Sequence, residues 1–239
     1  MPRLTVALLA AVLALALGAA RAGAAASPVV RAMVKKVVAA YGGPAALARM
    51  ARLRQEGTVS STLLHPGPPG RILRFAERPG RLRVEIGYPG RPVEVRVLSG
   101  GRGWRSGAEV QGPMLAAMIL QAARLQLPAL LAAAGDEVAD GGTLAHDGVE
   151  LRILAVEVMP GVVVEAAVDP GSGRILRSRG TAAGPVGLEF ITVSSDFRTV
   201  EGVLVPFREA NYANGRSTGD TVLETVAFPA ALPPGTFEP

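Results

Sequence analysis

Short runs of alternating apolar and polar residues, separated by glycine- and proline-rich turns, occupy most of this 239-residue chain. In one such run Leu82, Val84 and Ile86 alternate with arginine and glutamate residues. Successive side chains of a strand point to opposite faces, so this pattern predicts strands with one buried and one solvated face. That arrangement is typical of an antiparallel sheet. We count about ten to eleven such strands, which predicts a mainly β fold.

Two helical regions accompany the strands: one precedes them and the other interrupts them. Residues 29–41 carry apolar side chains at helical spacing, and a short second helix is predicted from Pro44. Residues 113–134 are apolar on nearly all sides, and Pro128 divides them into two helical pieces. Such helices must be covered on most sides or face a hydrophobic cavity. A transmembrane span is the alternative, which the central proline and Arg124 disfavour.

The start of the chain has the layout of an export signal. A basic residue precedes an unbroken apolar run over residues 6–17, and Ala-x-Ala sequences end at Ala22 and Ala26. We therefore predict a signal peptide over residues 1–22, with Ala26 as the alternative cleavage point. The mature product, a single domain over residues 27–239, is expected in the periplasm.

The absence of cysteine excludes disulfides, cysteine-based metal sites and a cysteine nucleophile. It also removes the cysteine to which a bacterial lipoprotein anchor is attached, so the exported product is expected to be soluble. The chain has 25 basic and 20 acidic residues, but the basic ones are dispersed and not interleaved with aromatic residues. The sequence therefore predicts no nucleic-acid partner. It has only two histidines, no calcium-loop spacing of carboxylates and no Walker or dinucleotide-binding motif, so it also predicts no metal and no cofactor.

One motif resembles a hydrolase signature. Residues 215–219 match G-x-S-x-G, but a nucleophile elbow needs a helix after the serine and a histidine later in the chain. Residues 220–226 have a strand pattern instead, and both histidines, His65 and His146, precede Ser217. We therefore expect a hairpin turn there and no catalytic residue. A serine hydrolase stays the less favoured alternative.

The remaining signal is hydrophobic. A sheet that curls around the apolar helices can enclose a cavity for an apolar ligand, although helices that simply fill the core are the alternative. Alternation does not fix which sheet face points inward, because a shift of one residue reverses it. The cavity candidates, chosen by strand alternation and helix placement, are Phe75, Val84, Ile86, Val95, Val97, Trp104, Met114, Leu115, Met118, Ile119, Leu130 and Leu131.

Several motifs occur in an order that is similar to a known family. They are Tyr-Gly-Gly at residues 41–43, Glu-Arg-Pro-Gly-Arg-Leu-Arg-Val at 77–84, Gly-Arg-Gly-Trp at 101–104, Asp-Pro-Gly-Ser-Gly-Arg-Ile at 169–175, and the stretch 195–207. Together they resemble the periplasmic outer-membrane lipoprotein carrier (LolA-like) superfamily and its lipoprotein-sorting relatives. The stretch 195–207 is the most specific of the five.

The resemblance implies an open, incomplete antiparallel β-barrel, with residues 113–134 as a helical lid and the N-terminal helix packed nearby. It implies a monomeric carrier without catalytic activity, which binds acyl chains of lipids or lipoproteins. Its partners would be an inner-membrane donor complex and an outer-membrane acceptor. Arg78, before Pro79, matches the family arginine that hydrogen-bonds the lid closed; an ordinary hairpin arginine is the alternative. An envelope lipid- or protein-sensing module of the same fold is the alternative function.

Overall fold

The computed structural model describes residues 26–62, 67–183 and 187–239; the predicted signal peptide and His65 lie outside them. Thirteen strands form one antiparallel sheet with four α-helices. The helices are α1 (Pro28–Ala40), α2 (Gly43–Arg49), α3 (Gly112–Leu125) and α4 (Leu127–Ala134), followed by a 3₁₀ turn over Gly135–Glu137. The strands are β1 (Arg52–Val59), β2 (Gly70–Glu77), β3 (Arg81–Gly87), β4 (Glu94–Ser99), β5 (Arg102–Arg105), β6 (Ala108–Val110), β7 (Ala139–His146), β8 (Val149–Met159), β9 (Val162–Val168), β10 (Ile175–Ala182), β11 (Leu188–Val200), β12 (Val203–Ala213) and β13 (Arg216–Ala227).

The strand order makes the sheet a meander that is interrupted once. The chain enters at β1 in the middle of the sheet and runs outward to β6 at one edge. Helices α3 and α4 then carry it to β7 at the other edge, and the remaining strands return to β13 beside β1. The edge strands β6 and β7 do not pair with each other in the described sheet. The predicted open antiparallel architecture is confirmed. The sheet has thirteen strands rather than the ten to eleven expected, and β6, with three residues, is too short to show an alternating pattern.

The sheet curls around α3. A Cβ atom added to Gly103 on β5 would lie 3.1 Å from a methyl carbon of Leu115, and one added to Gly180 on β10 would lie 3.0 Å from Leu120. Both leucines belong to α3, yet seven strands separate β5 from β10 in the sheet order. Glycine permits these close approaches because it has no side chain. We call the face of the sheet that packs against α3 the inner face.

The helices begin and bend where the sequence provides capping residues and proline. The Val30 N–H donates to the Ser27 side chain at the start of α1, over 3.2 Å, and Pro28 fills the first turn. Helices α3 and α4 meet at Gln126, two residues before Pro128, which lies in the first turn of α4. The buried Gln126 side chain donates to the Met50 carbonyl over 3.0 Å and fixes the bend.

The α3–α4 bend bears on the membrane-span alternative. No single described helix is long and apolar enough to cross a membrane. Helix α3 and the segment Leu127–Glu137 reach that length and hydropathy together, but they are bent by 85° relative to each other. Met118, Leu125 and Leu131 of this pair are buried against the sheet and the other helices.

Candidate functional site

A buried ion-pair triad lies on the inner face. The Arg74 guanidinium on β2 donates to the Glu209 carboxylate on β12 over 2.9 Å, and Arg124 on α3 donates to the other carboxylate oxygen over 3.0 Å. The side chains of Arg74 and Glu209 are each 3% exposed, and that of Arg124 is 18% exposed. The triad therefore joins the helical lid segment to the middle of the sheet.

Strand register brings the sheet part of this cluster together. Gln55 on β1 pairs with Arg74, and Thr221 on β13 pairs with Glu209, so four neighbouring strands contribute to one face. Arg74 also donates to the Gln55 side-chain oxygen over 3.3 Å and to the Thr221 hydroxyl over 3.1 Å. The Arg74 Nε has no hydrogen-bond partner within the described residues.

The charges of the triad set the pKa of Glu209. Burial opposes ionisation of this carboxyl group, but Arg124 and Arg74 outweigh it and bring the pKa to about 2. Burial lowers the pKa of Arg74, and the Glu209 carboxylate opposes that shift. Arginine keeps its proton in proteins, so the triad holds two positive charges and one negative charge.

A small cavity adjoins the triad beneath the α3–α4 bend. Its volume is about 60 Å³. Arg124, Glu209 and Gln55 line its polar side, while Leu125, Leu127, Val205 and Phe228 contribute to its apolar side. Ligand pockets usually measure roughly 300–1,000 Å³, so this cavity cannot hold an acyl chain unless α3 and α4 move away from the sheet.

A larger, shallow groove of about 570 Å³ lies where α4 meets α1 and α2. Lys35 and Arg78 supply its positive charge. Its apolar lining includes Val34, Val38, Leu47, Ala129, Ala132 and Ala133. The groove thus offers an apolar surface at the seam between the lid segment and the N-terminal helices.

Arg78 contacts α2 rather than α3 or α4 in its hydrogen bonds. Its guanidinium donates to the Leu47 carbonyl over 3.0 Å, and its backbone N–H donates to the Ala51 carbonyl over 2.9 Å. Because Arg78 and Ala129 line the same groove, the arginine stands at the seam of the lid. Its predicted role in holding the lid closed stays a prediction.

Eight of the twelve predicted cavity residues lie on the inner side. Val84 pairs with Arg74 and Ile86 with Ile72, which places both on the inner face. The helical residues pack with the core between sheet and helices: Met114, Leu115, Met118, Ile119, Leu130 and Leu131. These eight lie around the interior, two on the sheet and six on the lid segment.

Phe75, Val95, Val97 and Trp104 lie on the opposite, outer face of the sheet. Phe75 and Val97 both pair with Arg83, and Trp104 pairs with Val97, while Val95 pairs with Glu85. Paired residues share a face, so all four point away from α3. The inner positions of β2 and β4 carry apolar residues such as Ile72 and Leu98, together with the ion-paired Arg74, Glu94 and Arg96.

The C-terminal segment, residues 228–239 after β13, covers part of this outer face. The Arg83 guanidinium donates to the Glu238 carbonyl over 3.2 Å, and the Arg81 guanidinium lies 4.4 Å from the centre of the Phe237 ring. Covered in this way, an outer strand face can carry apolar residues such as Val97, which is buried. Alternation alone could not reveal this cover.

Ser217 lies in a hairpin, as predicted. Asn214 and Gly215, both with positive φ, turn the chain between β12 and β13, and Ser217 follows within β13. Strand follows the serine rather than a helix, so the nucleophile-elbow geometry is missing at this position.

The inner-face triad was missed by sequence reasoning, although a signal was present. Arg74 interrupts the apolar series Ile72, Arg74, Ala76 on β2, and Glu209 continues the series Val205, Phe207 on β12. A charged residue at an apolar position needs a buried partner. The sequence could not show that the partner lies 135 residues away.

An antiparallel sheet that curls around a helical pair, and is left open between its edge strands, defines a class of half-barrel folds. No family model matches the sequence, and no curated protein matches it. The structure is similar to that of a LolA superfamily protein from Nitrosomonas europaea, with a TM-score of 0.56 and 11% identity over 88% of this chain and 97% of that one. A DUF1329 family protein from Desulfovibrio piger gives a TM-score of 0.49 at 12% identity, over 87% and 97% of the two chains. The predicted resemblance is confirmed at the level of the fold.

Proposed function

We propose that this protein is a soluble periplasmic carrier, which binds acyl chains of lipids or lipoproteins between the inner face and the α3–α4 pair. The observation that carries the proposal is the topology of the lid segment. Helices α3 and α4 connect the two edges of the sheet, and α3 packs against the strands through side chains such as Leu115, Leu120 and Arg124. They can move outward without breaking a backbone hydrogen bond of the sheet.

The closed interior supports a conformational mode of uptake. The cavity of about 60 Å³ beside Arg124 is too small for a chain, so binding requires displacement of the helices. Displacement of α3 and α4 exposes apolar side chains that are buried in the closed form, such as Met118 and Leu131, and these then contact the ligand. Each buried methylene contributes roughly 0.8 kcal/mol, so burial of ten gives about 8 kcal/mol, which corresponds to micromolar affinity.

The groove between α1, α2 and α4 is the proposed entry point. It lies at the seam that must open, and its apolar lining offers a first docking surface for a chain. Arg78 holds α2 at this seam through the Leu47 carbonyl, so it is the proposed lid-locking residue. Ligand that binds the open state shifts the population toward it.

Native mass spectrometry of the purified mature protein tests the carrier function. We expect bound lipid or lipoprotein, and micromolar binding of 11-(dansylamino)undecanoic acid after delipidation. Met118→Arg places a charge under the lid and should abolish probe binding, while Met159→Arg, at an exposed position, should leave it unchanged. Circular dichroism establishes that both variants are folded.

Two results would oppose the proposal. A wild-type protein that carries no lipid in several preparations and binds no acyl probe is not a carrier of acyl chains. A protein that binds lipid but does not pass it to acceptor vesicles would fit the envelope-sensing alternative instead.

Cell fractionation and N-terminal sequencing test the proposed export and cleavage after Ala22 or Ala26.

A further inference from the structure

The charges on the inner face do not balance. Glu209 is the carboxylate that both Arg74 and Arg124 contact, which leaves one surplus positive charge in a largely dry site. The neighbouring Glu94 does not compensate for it, because Glu94 is itself shared by Arg96 and Arg105. Desolvated charge is costly unless it is paired.

The surplus belongs to Arg124. Arg74 is held on the sheet by Gln55, Thr221 and Glu209, whereas within the described residues Arg124 has its hydrogen bond with Glu209 alone. When α3 moves away from the sheet, Arg74 and Glu209 remain as a neutral pair. Arg124 then travels with the lid as an unpaired guanidinium that faces the opened interior.

We propose that Arg124 binds the anionic headgroup, a carboxylate or a phosphate, of the amphiphile whose chain occupies the interior; this rests on the proposed carrier function. A guanidinium offers two parallel donors to either group, and such charge-assisted pairs are stronger than neutral hydrogen bonds. The hydroxyl-bearing residues Ser178 and Ser194 line the same cavity as Arg124 and add polar groups beside the headgroup. The headgroup takes the place of Glu209 as the partner of Arg124, so ligand entry and lid displacement are coupled.

The proposal predicts selectivity between two probes with the same chain. We expect 11-(dansylamino)undecanoic acid to bind wild-type protein about tenfold more tightly than its methyl ester, which is the effect of a single charge-assisted contact. Arg124→Gln should remove this preference, so that the acid binds no more tightly than the ester. Arg124→Lys, which keeps the charge, should restore part of the preference. Arg102→Gln, which breaks an exposed pair with Glu109, is the matched control and should bind both probes as the wild type does.

The outcomes separate this inference from the carrier function. Equal binding of acid and ester by the wild type, or an equal loss of both in Arg124→Gln, would overturn the headgroup role while leaving the carrier function intact. Failure of both probes to bind the wild type would overturn the carrier function as well. Inorganic phosphate alone serves as the third ligand: a thermal shift that depends on Arg124 would identify a free-anion site rather than a headgroup site, and we expect no such shift.

Discussion

A disulfide that ties α3 to the sheet should close the interior to acyl chains. The chain has no cysteine, so a designed pair has no competing thiol. A Cβ atom added to Gly180 on β10 would lie 3.3 Å from the Leu120 Cβ on α3. Disulfides place the two Cβ atoms roughly 3.5–4.5 Å apart, so a shift of a few tenths of an ångström allows Leu120→Cys and Gly180→Cys to join.

The expected stabilisation follows from the loop that the bond closes. Residues 120 and 180 enclose a loop of 60 residues. The chain-entropy relation gives about 4 kcal/mol for a loop of that length, measured as the difference in unfolding free energy between oxidised and reduced protein. The reduced form of the same double variant is the reference, because the loss of the Leu120 side chain is then common to both forms.

Binding of 11-(dansylamino)undecanoic acid is measured with and without dithiothreitol. We expect the oxidised variant to bind the probe at least tenfold more weakly than the reduced variant, since the lid cannot leave the inner face. The wild type should respond to dithiothreitol in neither stability nor binding. Equal affinity of a fully oxidised and a reduced variant would refute the reasoning, and would place the chain in the groove between α1, α2 and α4 instead.

Three further predictions concern the triad and Arg78. Glu209→Gln leaves the buried Arg74 and the partly buried Arg124 without their carboxylate, and should lower the free energy of unfolding in urea by roughly 3–5 kcal/mol. Glu109→Gln, at an exposed pair, should change it by less than about 1 kcal/mol, and similar losses in both variants would show that burial of the triad is unimportant. The pKa of Glu209 is about 2 in the folded protein against an ordinary 4.5, so the unfolded chain binds more protons between these values. Stability should therefore fall by about 3 kcal/mol as the pH drops from about 5 to 2, and urea titrations of Glu209→Gln should lack this share of the decline. Arg78→Ala removes the hydrogen bond to the Leu47 carbonyl and should cost about 1 kcal/mol. Amide hydrogen exchange should quicken in α2, and unchanged protection there would contradict the tether.

Local sequence patterns were sufficient for most elements. The alternation at residues 81–88 predicted β3 to within one residue, and the apolar stretch 113–134 predicted the helical pair. These succeed because strand and helix periods are properties of consecutive residues. The three-residue β6 escaped because no period can be seen over so short a segment.

The orientation of β4 shows where local pattern fails. Val93, Val95 and Val97 alternate as an inward apolar face would, yet Val95 and Val97 lie on the outer face while Glu94 and Arg96 point inward. Alternation defines two faces without stating which one meets the helices. That choice depends on what packs against each face: α3 and α4 on the inner face, and the C-terminal segment beside Arg81 and Arg83 on the outer face. Contacts of the helices and of the C-terminal segment with the sheet join residues that are distant in the chain.

The triad is also a contact between distant parts of the chain, and the stability of the fold does not explain why it is there. A buried Arg–Glu–Arg cluster is weak evidence for stability, since apolar residues of similar volume often replace such a cluster without loss. The surrounding strands already bury a continuous apolar core, including Leu53, Leu82 and Leu223. Burying these charges costs free energy that apolar packing would not, and the surplus charge lies on α3, the helix that moves in the proposed uptake. The proposed role in binding a negatively charged headgroup accounts for both the surplus charge and its position on α3, whereas the tie between lid and sheet accounts for the position alone.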